Sequence, residues 1–300
     1  MVRRTSPLSF TRRHAIKQTL GVAGGLWATM RGRALLASAG AAIKKNASDV
    51  VSLGSTGIKL TRMALGTGTN GVRKTSFQGR LGIDGLADLL CHAYDQGLRF
   101  WESADQYGTH PHLREGMRRV GKNNVVVMTK TRATTAAEAQ EDLDRFRREL
   151  GRDYLDIVLL HCVTSATWPQ ELAGPMEVLE RARAKGVIRA HGVSCHSLEA
   201  LKTAARTPWV QVDLARINPR QAVMDADPET VLGVLRDMKR AGKGVIGMKI
   251  FGAGRLTDDI DGALRYCGRL DVLDAFTIGF TSTTQLDEVV HKLPVVSAAA

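Results

Sequence analysis

The chain has 300 residues, of which 44% are hydrophobic and only 5% aromatic, a length and aliphatic composition that allow a large core and exclude a disordered or fibrous protein. Its formal charge of +12 is uneven: residues 1–39 hold Arg3, Arg4, Arg12, Arg13, Lys17, Arg31 and Arg33 with no acid, leaving 35 basic against 30 acidic residues beyond them. With that near-balance and no basic-aromatic motif, no nucleic-acid partner is expected.

In chain order, Arg12-Arg13 followed by a weakly apolar, glycine-rich run over 18–30 resembles a twin-arginine export signal, with Ala37-Ser38-Ala39 as a small-residue cleavage site. The run is too short and glycine-rich for a membrane span. The expectation is a periplasmic or exported protein that touches a membrane only through export or a retained leader; the alternative is a basic tail on a cytoplasmic protein. Residues 1–39 are therefore read as leader, 40–49 as linker and 50–300 as the folded domain.

Residues 50–53 and 58–60 flank Gly54-Ser55-Thr56-Gly57 and read as a β-hairpin that could plug one end of a barrel. Next, residues 63–65 run into Gly66-Thr67-Gly68-Thr69-Asn70-Gly71, a literal G-x-G-x-x-G. A dinucleotide fingerprint needs a helix opening at its third glycine. Beyond Gly71 the chain carries Thr75, Ser76, Gly79 and Gly82, a poor helix start, so an active-site loop is preferred. From Asp84 onward one unit repeats: a capped amphipathic helix, a glycine, an apolar strand. Asp84 reads as the first cap, Thr135 and Glu138 form a capping box, and Pro175 and Asp227-Pro228 open further helices. Strands are predicted at 63–66, 98–103, 124–130, 155–161, 188–194, 209–214, 244–250 and 275–280. Eight strands alternating with helices over about 240 residues predict an α/β fold, a (β/α)8 TIM barrel with an N-terminal β-hairpin.

Such a barrel keeps its chemistry at the C-terminal strand ends. Gathering those ends gives Gly66, Thr67, Glu102, Tyr107, Lys130, His161, Ser194, Gln211, Lys249 and Phe280. Lys130 closes an otherwise apolar strand and needs a partner, for which Glu102 is the candidate. Tyr107 can act as a proton donor, its pKa lowered by the Lys130 ammonium. Singly, Lys130 could be half of a structural ion pair, His161 a hydrogen-bonded core histidine and Tyr107 a loop tyrosine; together they suggest a site. Cys91, Cys162, Cys195 and Cys267 show no C-x-x-C pair, so neither a zinc site nor a disulfide framework is indicated.

With these residues in view, the chain resembles the aldo-keto reductase family over roughly residues 50–290. The likeness rests on LGSTGIKLTRMALGTGT, ESADQYG, Lys130 in MTK, DYLDIVLLH, GVIRAHGVS and IGFTSTTQLDE. The resemblance implies hydride transfer between a nicotinamide cofactor, NADP or NAD, and a small-molecule carbonyl. Tyr107 would donate the proton, Lys130 activate it and His161 orient the carbonyl. Where the family has aspartate this chain has Glu102, one methylene longer, so altered rather than abolished catalysis is expected.

The resemblance also implies that Ser194 and Gln211 hydrogen-bond the nicotinamide carboxamide, that Cys195 replaces the usual asparagine, and that Met248 stands where an aromatic often stacks. Lys249 and Phe251 come next on that loop, and Thr281, Ser282 and Gln285 occupy places where many relatives put basic residues for a 2′-phosphate. Trp101, His110, His112, Trp168, Arg216 and Asn218 are candidates for the substrate pocket, Arg216 hinting at a polar or anionic substrate. Two other functions stay open: an exported nucleotide- or sugar-binding barrel with little turnover, and a Rossmann dehydrogenase using Gly66, Gly68 and Gly71.

Overall fold

The computed structural model describes residues 44–298; the expected leader lies outside them. A hairpin comes first, β1 (Val50–Ser52) antiparallel to β2 (Lys59–Thr61). Eight parallel strands come after it: β3 (Met63–Gly66), β4 (Phe100–Glu102), β5 (Val126–Thr131), β6 (Leu155–Val163), β7 (Ile188–Cys195), β8 (Val212–Arg216), β9 (Gly244–Met248) and β10 (Ala275–Gly279). They close into a barrel in the order β10-β3-β4-β5-β6-β7-β8-β9. The connections and the C-terminal segment supply α1 (Gly82–Asp95), α2 (His110–Val120), α3 (Ala136–Leu150), α4 (Trp168–Glu171), α5 (Ala173–Ala184), α6 (Leu198–Arg206), α7 (Pro228–Arg240), α8 (Ile260–Arg269) and α9 (Thr283–Ala298). This is the (β/α)8 barrel expected from the strand count, and it overturns the Rossmann alternative: the sheet is closed, and the first helix opens at Gly82 rather than Gly71.

Local chemistry explains the element boundaries. The capping box at α3 forms, with Glu138 N–H donating to Thr135 Oγ1 at 3.2 Å and Thr135 N–H to Glu138 Oε2 at 3.0 Å. Asp227 caps α7 and Pro228 takes its first position, where a missing N–H costs nothing. Asp84 lies within the first turn of α1 instead of capping it, and α5 begins two residues before Pro175. The pattern predicts a strand over 209–214, whereas β8 runs Val212–Arg216, and residues 207–210 before it form a turn closed by Val210 N–H on Thr207 O.

Side chains alternate along each strand, so the aliphatic interior divides in two. An outer cluster packs strands against helices, and an inner one fills the barrel with Ala64, Phe100, Met128, Ile157, Leu159, Ala190, Val212, Leu214, Ile246, Met248 and Ala275. Leu53, Ile58 and Leu60 of the hairpin join the inner cluster and are at most 3% exposed. The hairpin is thus a hydrophobic plug at the N-terminal end. Residues 44–49 also pack onto the barrel instead of forming a free linker: Ala47 is buried and accepts from Met63 N–H at 3.0 Å, and Lys45 N–H donates to Ser297 Oγ at 3.0 Å. Among the described residues no helix is long and apolar enough to cross a membrane.

If the hairpin plugs the barrel, Leu53→Ala should cost about 2–5 kcal/mol of unfolding free energy in urea titrations, while Val50→Ala, at a position 69% exposed, should cost under about 0.5 kcal/mol. Equal costs would refute the plug.

Candidate active site

The inner apolar residues determine which side chains face the axis at the C-terminal rim, because facing repeats every second residue. Two residues beyond Phe100, Met128 and Leu159 stand Glu102, Lys130 and His161. The same parity places Gly66 beyond Ala64, Ser194 beyond Ala190 and Gly192, Arg216 beyond Leu214, Met248 beyond Ile246 and Thr277 beyond Ala275. Pairing keeps the strand ends level, with Gly66 beside Glu102 and Glu102 beside Met128.

At this rim Lys130 is fully buried, and its ammonium donates to Glu102 Oε1, to Ser103 O at 2.6 Å and to the Tyr107 hydroxyl at 3.4 Å. The second oxygen of Glu102 accepts from Thr277 Oγ1 at 3.3 Å. Gly66 makes room for that longer acid: a Cβ there would lie 3.0 Å from Glu102 Oε2 and 2.7 Å from Thr277 Oγ1.

Tyr107 ends a 3-10 turn, Asp105–Tyr107. Its ring lies against Gly68 and Gly71, where any Cβ would overlap it; the glycines of the literal G-x-G-x-x-G therefore serve as a cradle for a phenol. Asp105 fastens the turn by accepting from Arg145 Nη1 at 2.5 Å and from Lys74 Nζ, while Gln106 Nε2 donates to Gly71 O at 2.8 Å. The His161 ring stands edge-on to that of Tyr107, 5.6 Å between centroids.

Burial dominates the protonation states. It pushes the Tyr107 phenol well above its ordinary value, and the Glu102 carboxylate adds to this. The sequence-based expectation of a phenol acidified by Lys130 is corrected accordingly: desolvation outweighs the lysine charge, which is balanced by Glu102. Burial, with the Lys130 charge second, pulls His161 well below its ordinary range, leaving a neutral imidazole. Lys130 is also lowered by burial, and Glu102 opposes that shift.

A cavity of about 430 Å³ opens beside Glu102 and Tyr107 and extends past Met248 and Thr277 to the start of α9. Gly66, Met248, Lys249, Phe251, Thr281 and Gln285 of the expected cofactor set line it. The size suits an extended organic ligand. Ser194 Oγ is buried at the rim without a hydrogen-bond partner in the protein, as a group reserved for a ligand amide would be. These residues fit a nicotinamide nucleotide, which Met248 could cover on one face and Ser194 hold by its carboxamide.

Four expected cofactor residues lie elsewhere. Gln211 precedes β8 and so sits at the opposite end of the barrel, where Oε1 accepts from His191 N–H at 3.3 Å. Cys195 has the outward parity of its strand and is buried in the outer cluster against Asp213. Thr67 Oγ1 is used internally, donating to Glu102 O at 3.0 Å and sharing a hydrogen with Thr109 Oγ1 at 2.7 Å. Ser282 is exposed and caps the first turn of α9, its Oγ accepting from Gln285 N–H.

Most substrate-pocket candidates are also spoken for. Trp101 and Trp168 are core residues, and His110 bridges Glu149 and Thr129. Asn218 is buried and donates to Ala222 O and Lys249 O, and Arg216 is paired with Asp225. Alternation could have excluded Cys195 and selected Thr277 in advance; the Gly68 and Gly71 cradle left no local trace.

Residues 62–297 match the aldo/keto reductase family. Two curated relatives are each 24% identical: L-galactose dehydrogenase of Arabidopsis thaliana over 219 residues, 69% of this chain, and D-threo-aldose 1-dehydrogenase of Pseudomonas sp over 201 residues, 56% of this chain. The matches span 66% and 60% of those relatives' own lengths, just under two thirds. Among solved structures, a Pseudomonas aeruginosa chain assigned as an aldo-keto reductase superposes with a TM-score of 0.70 at 19% identity, covering 85% of this chain and 98% of the other. The holo form of an aldo-keto reductase from Bacillus halodurans gives 0.65 at 16% identity, covering 82% and 90%. At such identities the structural likeness speaks for the fold. The family match runs from the residue before β3 into α9 and takes in Glu102, Tyr107, Lys130 and His161, so the chain belongs to the aldo/keto reductase family.

Proposed function

We propose that this protein is a nicotinamide-dependent oxidoreductase interconverting an aldehyde, ketone or sugar-like carbonyl with its alcohol, Tyr107 exchanging the proton. The observation that carries this reading is the convergence of Tyr107, Lys130 and His161 at one strand-end rim, where Tyr107 and Glu102 line the cavity. The two sugar dehydrogenases among the relatives support a sugar-like substrate.

When bound, the nicotinamide supplies or accepts the hydride. Tyr107, protonated because its pKa is raised, gives its hydroxyl proton to the developing alkoxide. Lys130, 3.4 Å from that hydroxyl, stabilises the phenolate left behind. Glu102 keeps the lysine charged and in place, and neutral His161 is available to hydrogen-bond the carbonyl oxygen. The alternative of a non-catalytic binding barrel leans on Glu102 and Cys195; Glu102 retains the charge that pairs with Lys130 and Cys195 faces the helices, so neither favours it.

For the leader we propose export in folded form, supported by Arg12-Arg13 and the small-residue motif at 37–39. Arg12→Lys combined with Arg13→Lys should then retain the protein in the cytoplasmic fraction, and unchanged fractionation would count against this route.

Tyr107→Phe should lower turnover by about 10²–10⁴-fold while leaving nucleotide binding by calorimetry within about twofold; undiminished turnover would remove Tyr107 as the acid. Glu102→Asp should change turnover or substrate choice, and no change in either would make the extra methylene neutral. The pH dependence follows from the shifts. His161 stays neutral above its ordinary 6.5 and Tyr107 stays protonated below its ordinary 10.0, whereas Lys130 gives up its proton earlier than an ordinary lysine at 10.5, so between 6.5 and 10.0 carbonyl reduction should be level until Lys130 loses its charge and should fall on the alkaline side. Alcohol oxidation, which needs the phenolate, should rise toward its alkaline end. A reduction profile that breaks near neutrality would contradict the assignment.

A further inference from the structure

Resting on the carbonyl reading above, we propose that the substrate carries a carboxylate besides its carbonyl, as a hexuronate does, and that Arg132 receives that carboxylate. Arg132 is the first residue after β5, two along from Lys130. Its Nη1 donates to Gln106 Oε1 at 3.4 Å, on the turn that carries Tyr107. With His161 and Cys162 it also lines a cleft of about 150 Å³ between the loop after β5 and the segment running from β6 to α4. The guanidinium thus neighbours both elements that hold the groups assigned to the carbonyl.

A guanidinium is a planar fork of N–H donors that matches a carboxylate. That of Arg132 gives one long bond to a neutral amide, and among the described residues no acid pairs with it. The acids nearby are committed elsewhere: Glu102 to Lys130, Asp225 to Arg216, and Asp105 to Arg145 and Lys74. Glu171, in the same cleft, accepts from the hydroxyls of Ser165 at 2.5 Å and Thr167 at 2.6 Å. Its charge repels an anion from the α4 side and leaves the Arg132 side.

The histidines of the rim add no charge to this balance. Burial, then the Lys130 charge, pulls His161 below its ordinary range, and Arg132 and Lys249 add to it. Burial, then Arg216, takes His196 down to about 4. Lys249, which pairs with no acid among the described residues, brings a further positive charge to the wall of the larger cavity. A neutral sugar would leave the Arg132 charge unmatched, whereas a substrate carboxylate matches it and is oriented by the fork. Arg132 is therefore assigned as the residue that selects an acidic substrate.

Steady-state turnover of D-galacturonate against D-galactose, and of D-glucuronate against D-glucose, tests this with the full chain, in both directions and with both nicotinamide nucleotides. Each pair differs only by a carboxylate or a hydroxymethyl group at C6. In at least one pair kcat/KM should be at least about tenfold higher for the acid, and that ratio should fall as salt is added. Arg132→Gln should lower the ratio by at least about tenfold through the KM of the acid, and Arg132→Lys should restore part of it. Equal or better turnover of the neutral sugars overturns the inference and leaves the carbonyl reading standing. A ratio unmoved by Arg132→Gln overturns the role of Arg132. Calorimetric binding of a nicotinamide nucleotide without turnover of any of the four sugars overturns the acidic substrate class, and failure to bind either nucleotide overturns the reading beneath it as well.

Discussion

Lys130 brings a full positive charge into the barrel where no solvent reaches it, and the Glu102 carboxylate makes that tolerable. Desolvating either ion alone costs several kcal/mol, and the loss is recovered only when the partner and the remaining hydrogen bonds are all in place. Here they are: Lys130 also donates to Ser103 O and the Tyr107 hydroxyl, and Glu102 accepts from Thr277. Strands β4, β5 and β10 and the turn after β4 are tied together by this one pair. Burial likewise raises the phenol of Tyr107 and keeps His161 neutral. Stability at the rim and protonation at the site thus have one physical origin.

Around that pair the backbone is made to fit. The longer acid is housed because Gly66 presents no Cβ to Glu102 and Thr277, and Tyr107 is housed because Gly68 and Gly71 present none to its ring. Two other rim residues adopt left-handed backbone without being glycine, Cys162 at φ 57° and Lys249 at φ 61°. Such conformations cost of order 1–3 kcal/mol and survive where surrounding structure over-determines them. Cys162 sits at an irregularity in the pairing of β6 with β7, next to His161. The glutamate thus comes with the space that its extra methylene requires.

Much of this was legible from local pattern. Helix caps, terminating glycines and apolar strands recur often enough to count eight strands, and the C-terminal ends of those strands gather Glu102, Lys130 and His161. What pattern misjudged were positions that depend on phase or on contacts distant in sequence. β8 begins a few residues later than the pattern predicts, after a turn at Thr207, so Gln211 lies at the wrong end of the barrel. Cys195, one residue beyond Ser194, faces the helices. The acidifying effect assigned to Lys130 ignored that Glu102 claims its charge, and residues 44–49 look like a linker until Ala47 is seen under the barrel.

By itself the sequence determined the repeating unit, the closed α/β architecture and the chemical types at the rim, because amphipathic period, capping and burial are properties of short stretches of chain. Only the tertiary structure decided which of those groups meet. Facing is resolved by barrel closure, and burial by neighbours far away in the chain, 175 residues apart for Thr277 and Glu102. A pKa depends on every charge and every excluded water around the group. The sequence supplied a phenol, an amine, an imidazole and a carboxylate; packing made one cluster of them, with the acid protonated and the imidazole neutral.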